Sequence, residues 1–311
     1  MEKTKYGHML KKLNFNKGTG RTKGTANADY FVWPKGKDLE GLNFNFSWGY
    51  YSKTGKWGSE EDSCHVHPSN ECMVFVGLDY DNPNNLGAEI EIAMGQEGEK
   101  HVFSNPTNVI VPAGLPHCPL AIRKVTKPYG LLTISLAAEH KTTRLPENKQ
   151  PSPTVEIGKL VKKLSLHDAQ RKSGGNADFG SGWTGKNLKG YDLNFTWAFH
   201  TGLGDWHGDL DPHVHPAGEF LLFVGLDPEN PGYLGAELTI GMGEEGETLV
   251  INTPAVVVVP AGLVHCPLIT RKVNKPYGFS AISLNAEHQT TWLGKGRFNP
   301  PKFTPPPPDE E

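Results

Sequence analysis

The chain has 311 residues, 37% of them hydrophobic and 21% charged, a globular composition long enough for two domains. Lys and Arg number 31 against 34 Asp and Glu, a net charge of −3, which gives no electrostatic case for nucleic acid or an anionic membrane surface. No apolar run approaches the roughly 20 residues that cross a bilayer. The opening Met1-Glu2-Lys3-Thr4-Lys5 is charged and leads into no apolar segment, so no secretory leader and a cytoplasmic location are expected. Four Cys make no disulfide framework at this length. Thirty-six Gly and 25 Pro predict many turns and short strands.

In chain order, a helix-like preamble is predicted at residues 7–13. Asn43-Phe44-Asn45-Phe46-Ser47-Trp48 then alternates apolar and polar residues, as a half-buried strand does. His65-Val66-His67-Pro68 follows, with Glu71 four residues after His67. Ala88-Glu89-Ile90-Glu91-Ile92 is another alternating strand, and Gly95-Gln96-Glu97-Gly98 is a turn. Pro112-Ala113-Gly114-Leu115-Pro116-His117 closes the first set. A polar, proline-rich linker is predicted at 146–153 and a second helix-like preamble at 156–164.

The chain then repeats itself. Residues 65–145 align with 213–293 at a constant offset of 148, with about 50 of the 81 positions identical. A weaker echo upstream has an offset of 149: Phe46-Ser47-Trp48 matches Phe195-Thr196-Trp197. A period of this size is a duplicated domain and not a solenoid. The predicted organisation is a first domain at 1–150, a second at 151–298, and a proline-rich acidic tail at 299–311. Val256-Val257-Val258-Val259, stopped by Pro260, reads as a buried strand, and the whole pattern is all-β.

Each copy carries one constellation of ligand-type side chains. It is His65, His67, Glu71 and His117 in the first copy, and His213, His215, Glu219 and His265 in the second. Histidines two apart on a strand share a face and can converge on one ion. Three imidazoles and one carboxylate suit a divalent first-row transition metal, with Fe or Mn favoured over Ni, Cu and Zn, and do not suit Ca or Mg. His140 and His288 also repeat, and a capping or surface role is expected for them. Strand parity with His117 and His265 nominates Arg123 and Arg271 as carboxylate-binding catalytic residues beside Glu71 and Glu219, the alternative being salt-bridged or solvent-facing arginines. The same parity turns Cys118 and Cys266 away from the ligands as small buried residues.

His-x-His-x-x-x-Glu followed by Gly77 or Gly225, then Pro-x-Gly-x-x-His, resembles the two signature motifs of the cupin superfamily. The chain is similar to a bicupin over nearly its whole length. The resemblance implies two tandem cupin-type β-barrels (double-stranded β-helix, or jelly-roll) with short N-terminal preambles and one metal per half. Two departures stand out. Five residues, not six, separate the glutamate from the glycine, and Leu120 and Leu268 replace an Asn that often follows the second motif. Together with the insertion at 79–86, they argue against close kinship with oxalate decarboxylases.

The resemblance implies a small-molecule substrate, with no nucleic-acid or membrane partner, and is compatible with a homo-oligomer. Its chemistry is either dioxygenase-type cleavage of an enol, phenol or carboxylate, towards which this reading leans, or a redox-neutral lyase, decarboxylase or isomerase reaction. A metal-binding protein without turnover is the third class. The stretch 205–211 adds a His and three acids before the second motif and reads as a lid, so the second centre is expected to carry more of the chemistry.

Overall fold

The computed structural model describes residues 4–18, 27–57, 64–145, 155–169, 177–207 and 212–294. The predicted linker at 146–153, the tail at 299–311 and residues 208–211 of the predicted lid lie outside them. The described residues are strands and turns with three short 3-10 turns, all paired strands being antiparallel. No helix among them is long and apolar enough to cross a membrane.

The chain forms two compact units, each a pair of sheets. In the unit built on the first repeat, a seven-stranded sheet runs Val161–Lys163, Thr107–Val111, Glu71–Gly77, Tyr129–Ser135, Asn45–Tyr51, Tyr30–Val32 and Asn16–Lys17. Its six-stranded partner runs Thr143–Arg144, His65–Val66, His117–Val125, Ala88–Met94 and Glu99–Phe103, with Gly55–Trp57 also paired to His117–Val125. The second unit repeats this order. Leu10–Lys12 begins its large sheet, and Asn194–His200 lies between Tyr277–Ser283 and Ala177–Trp183.

The units are not consecutive stretches of chain. Residues up to Leu13 group with the second repeat, and residues up to Ser165 with the first. The preambles explain this. Each is a 3-10 turn followed by a three-residue strand, where helix-like segments were expected. Leu10 pairs with Val257 and Val161 with Val109, so the backbone groups of each preamble go to a sheet edge. Leu160 and Leu164 are fully buried beside that edge. A three-residue segment gains more from an existing ladder than from nucleating a helix.

The alternation predicted from sequence sets the interior. In the second unit Glu219, Leu221 and Phe223 stand opposite Ser283, Ala281 and Phe279, so one face of the large sheet carries the glutamate and the apolar core together. That core holds Leu238, Ile240, Met242, Val257, Leu268 and Tyr277. Gly225 ends the strand for a steric reason. A Cβ there would lie 2.0 Å from the Tyr233 carbonyl oxygen, and at Gly77 it would lie 2.1 Å from that of Asn85.

Candidate metal centres

Two backbone contacts assemble each centre from its two motifs. The turn Pro112–Leu115 needs Gly114 at φ 76°, and the Gly114 N–H donates to the His67 carbonyl at 2.8 Å. Gly262, at φ 74°, makes the same bond to His215 at 2.8 Å. His117 pairs with His65 and His265 with His213 across adjacent strands, which closes the constellation. The four predicted side chains of each copy therefore meet.

In the first centre the rings of His65 and His117 are 4.3 Å apart, and His67 is 4.9 Å from both. Glu71 Oε2 lies 3.5 Å from His67 Nε2 and 3.8 Å from His117 Nε2. The second centre repeats this: the rings of His213 and His265 are 4.3 Å apart, and Glu219 Oε2 is 3.5 Å from His215 Nε2 and 3.3 Å from His265 Nε2. The ring orientations are fixed from behind. His67 Nδ1 meets the Lys141 carbonyl at 2.9 Å, His117 Nδ1 that of Leu115 at 3.1 Å, and His215 and His265 repeat the pattern with Gln289 and Leu263. An Nδ1–H donated to a carbonyl leaves the Nε2 lone pair facing the carboxylate.

This arrangement fits a cation. His215 Nε2 is buried without a hydrogen-bond partner, and His213, His215 and His265 bring ligand nitrogens within 4.8 Å of one another. Burial, and then the neighbouring His65 and His67, push His117 well below the ordinary imidazole range. Burial does the same to His213, down to about 2. Neutral imidazoles are what a metal requires. Burial raises Glu71, with His67 and Ser135 only partly opposing it. Burial also raises Glu219, but His215 and His265 outweigh it and hold that carboxyl below the usual range.

Each centre gathers residues whose part the sequence reading assigned elsewhere. His140 ring lies 4.4 Å from His67, and its Nδ1 is 3.8 Å from Glu71 Oε1, with Ser135 Oγ 3.3 Å from the same oxygen. His288 stands likewise, 4.6 Å from His215 and 3.9 Å from Glu219 Oε1. The expected capping or surface role is thus corrected: each glutamate turns one oxygen to the imidazole triad and the other to this fourth histidine. The repeated Ala-Glu-His was the available signal.

Strand parity misplaced two further pairs. His117–Val125 slips register between His117 and Leu120 and again between Ile122 and Lys124, and Cys118 sits at φ 74° in the first slip. Leu120 and Ile122 therefore point inward, while Arg123 points out, 45% exposed, and pairs with Glu91 and with Glu89. Arg271 donates through Nε to Thr239 Oγ1 at 3.0 Å, on the strand Ala236–Met242. Neither arginine faces the ligands. The same slip brings Cys118 Sγ within 4.8 Å of ligand atoms of His65 and His117, against the expected opposite face. Cys266 stands likewise by His213 and His207. None of the four cysteines is in a disulfide.

The surroundings then diverge. Trp33 lies edge-on to His140, with ring centroids 4.9 Å apart, and donates to Asn45 Oδ1 at 3.1 Å. Arg144 is the cross-strand partner of His65, whereas Trp292 is that of His213. His207 packs 5.3 Å from His213 and 5.4 Å from Trp292, and burial lowers its pKa.

Solved structures share this architecture. Oxalate decarboxylase from Bacillus subtilis, at pH 4.6, superposes with a TM-score of 0.59 at 10% identity, over 90% of this chain and 76% of that one. The chain has the bicupin fold. A second structure of that Bacillus subtilis enzyme, whose Mn(II) centres were the object of study, gives a TM-score of 0.60 at 10% identity, over 90% of this chain and 78% of that one. No protein-family model and no curated protein matches the sequence of this bicupin.

Proposed function

We propose that this bicupin is a metal-dependent enzyme that acts on a small oxygenated substrate (enol, phenol or carboxylate) by redox-neutral proton-transfer chemistry, with the second centre carrying more of the reaction. His65, His67, Glu71 and His117 would hold one divalent ion, and His213, His215, Glu219 and His265 the other. Manganese is favoured, because the decarboxylase of the same fold carries Mn(II). When bound, such an ion would polarise substrate oxygens and stabilise negative charge that develops on them.

The observation that carries this reading is His207. Lyase, decarboxylase and isomerase reactions move a proton to or from carbon or oxygen, so a titratable group must stand beside the substrate oxygens. His207 ends the strand-loop after Gly204–Asp205 and packs on His213, whereas in sequence the matching Trp57 of the first repeat is followed by Gly58. Desolvation lowers the pKa of His207, which favours the neutral imidazole able to accept a proton from substrate and return it. His288 steadies Glu219 from its far oxygen. Trp292 lies edge-on to His213, with ring centroids 4.7 Å apart.

Element analysis of the purified protein, with turnover of small hydroxy acids, oxo acids and phenols measured under air and under argon, tests the proposal. About two first-row metals per chain and turnover that persists under argon are expected, with His207→Gln slowing it about 100-fold. Turnover that demands O₂ would replace this reading with the dioxygenase one. Absence of metal would remove both.

A further inference from the structure

We infer that the second barrel holds an apolar chamber beside its metal centre, built to take the ring or branched alkyl body of the substrate, and that the first barrel cannot. The inference rests on the reading of the second centre as the reactive one and adds the class of molecule it accepts.

The chamber has a volume of about 330 Å³ and is lined by Gly180, Gly182, Thr196, Ala198, Trp206 and Phe279, among others. The strand residues among them share the sheet face that carries Phe223, with Gly182 exposed at its rim. Phe279 stands opposite Phe223 of the core face and opposite Ala198, which in turn stands opposite Gly180. Trp206 forms one wall, parallel to His200 at 4.2 Å and edge-on to Phe279 at 4.5 Å, with its Nε1–H satisfied by Thr270 Oγ1 at 3.0 Å.

The space comes from two missing side chains. In the first unit Phe31 pairs with Gly49 and Val32 with Trp48, and in the second Gly180 pairs with Ala198 and Ser181 with Trp197. Trp48 and Trp197 are repeat equivalents, so Gly180 occupies the register position of Phe31, and Gly182 that of Trp33. Trp33 is the residue that lies edge-on to His140. Its loss uncovers the counterpart: the His288 side chain is 48% exposed where that of His140 is 18%. Trp183, next in the chain, does not refill the gap. It stacks on Phe195, whose neighbours Asn194 and Thr196 alternate to the other face, and donates to Ser181 Oγ.

Volume and lining select the ligand. A chamber of this size is at the lower end of small-molecule sites and takes one ring or a short branched chain. Apolar walls with flat aromatic faces gain from carbon and lose by stripping water from charged oxygens. A two-carbon diacid such as oxalate has no apolar body to place there. An aryl or branched-alkyl carboxylate, enol or phenol has one.

Calorimetric titration of the manganese-loaded full chain with benzoate, phenol and oxalate tests this, using Gly182→Trp and Gly180→Phe to restore the residues of the first barrel. Space permits both: a Cβ at Gly182 meets nothing within 4 Å, and at Gly180 it meets Ala198 Cβ at 3.5 Å. Benzoate or phenol should bind at one site per chain. Each filled variant should weaken that binding at least tenfold while keeping the wild-type metal content and melting profile, and Gly182→Ala should bind nearly as the wild type does. Benzoate and phenol binding unchanged in both filled variants would overturn the chamber, as would no binding of either, or oxalate binding more tightly than both. The two claims separate cleanly. Gly182-dependent benzoate binding in a chain that turns over no substrate would refute the enzyme and keep the chamber. Turnover indifferent to Gly182→Trp and Gly180→Phe would do the reverse.

Discussion

Beside the first centre Trp33 covers His140 and Arg144 stands across from His65; beside the second, Gly182 and Trp292 hold those two places and His207 is added. The donors themselves barely differ, with both glutamates 3.5 Å from the histidine four residues before them. Their positions are set by ladder pairing and by one glycine-to-carbonyl bond per centre, which a duplicated sequence carries over intact. Access is set by single side chains at the mouth, where substitution leaves the ladder untouched. Donor geometry and access are therefore separable, and a duplicated barrel can keep two constellations of three histidines and a glutamate while the side chains beside them change.

The largest effect expected from this difference is kinetic. Glu219→Gln should lower turnover about 100-fold or more, because it removes a ligand charge at the open centre. Glu71→Gln should lower it less than about tenfold. Steady-state rates of the two variants, each with its metal content measured alongside, decide the matter. Equal losses would end the asymmetry.

Metal occupancy should break the other way and treat the centres alike. His67→Ala and His215→Ala should each remove one metal equivalent per chain and leave the other centre filled, as read by element analysis after dialysis. Each variant loses an Nε2 aimed at its own glutamate, and no ligand is shared. Loss of both equivalents from either change would show that the centres are coupled.

The same comparison shows what a linear sequence can carry. The convergence of each set of three histidines and a glutamate was legible because period-two spacing and a gapless repeat are local facts, and β-pairing preserved them. Parity failed along His117–Val125, where two register slips turn Leu120 inward, Arg123 outward and Cys118 towards the ligands. A bulge leaves little mark in composition. His140 and His288 lie in the turn after a strand, where no alternation rule applies, and only the returning chain brings them to the glutamate. The preambles were misread for a related reason. Three-residue strands acquire their form from the edge they join, and for Val161–Lys163 that edge is Thr107–Val111, far earlier in the chain.

A smaller effect separates the two outer histidines. His140→Ala should weaken metal binding at its centre about tenfold, within the usual range for a group that orients a ligand. His288→Ala should weaken it less, because an exposed imidazole orients Glu219 with less restraint. Competition with a chromogenic chelator, centre by centre in backgrounds lacking the other site, measures both. A larger loss at His288 would invert the assignment of the open centre.

The smallest expected effect is the pH dependence of folding in the chelated, metal-free chain. Burial, followed by repulsion from His67 and His65, lowers His140 to about 3, and burial also lowers His288. A depressed imidazole pKa means that the unfolded chain takes up its proton first, near pH 6.5, while the folded chain stays neutral. Stability is therefore full above about pH 6.5 and declines as the pH falls, for His140 by up to about 1.4 kcal/mol per pH unit, until the folded-state pKa is reached. For His140 that window runs from about 6.5 down to about 3. Its side chain is 18% exposed against 48% for His288, so solvent screens the second histidine more. Replacing His140 with Gln should consequently flatten the acid limb of a urea-denaturation series between pH 6.5 and 4 more than His288→Gln does. If the two variants flatten it equally, Trp33 does not shield the first centre from water, and the difference in access that separates the barrels loses its physical basis.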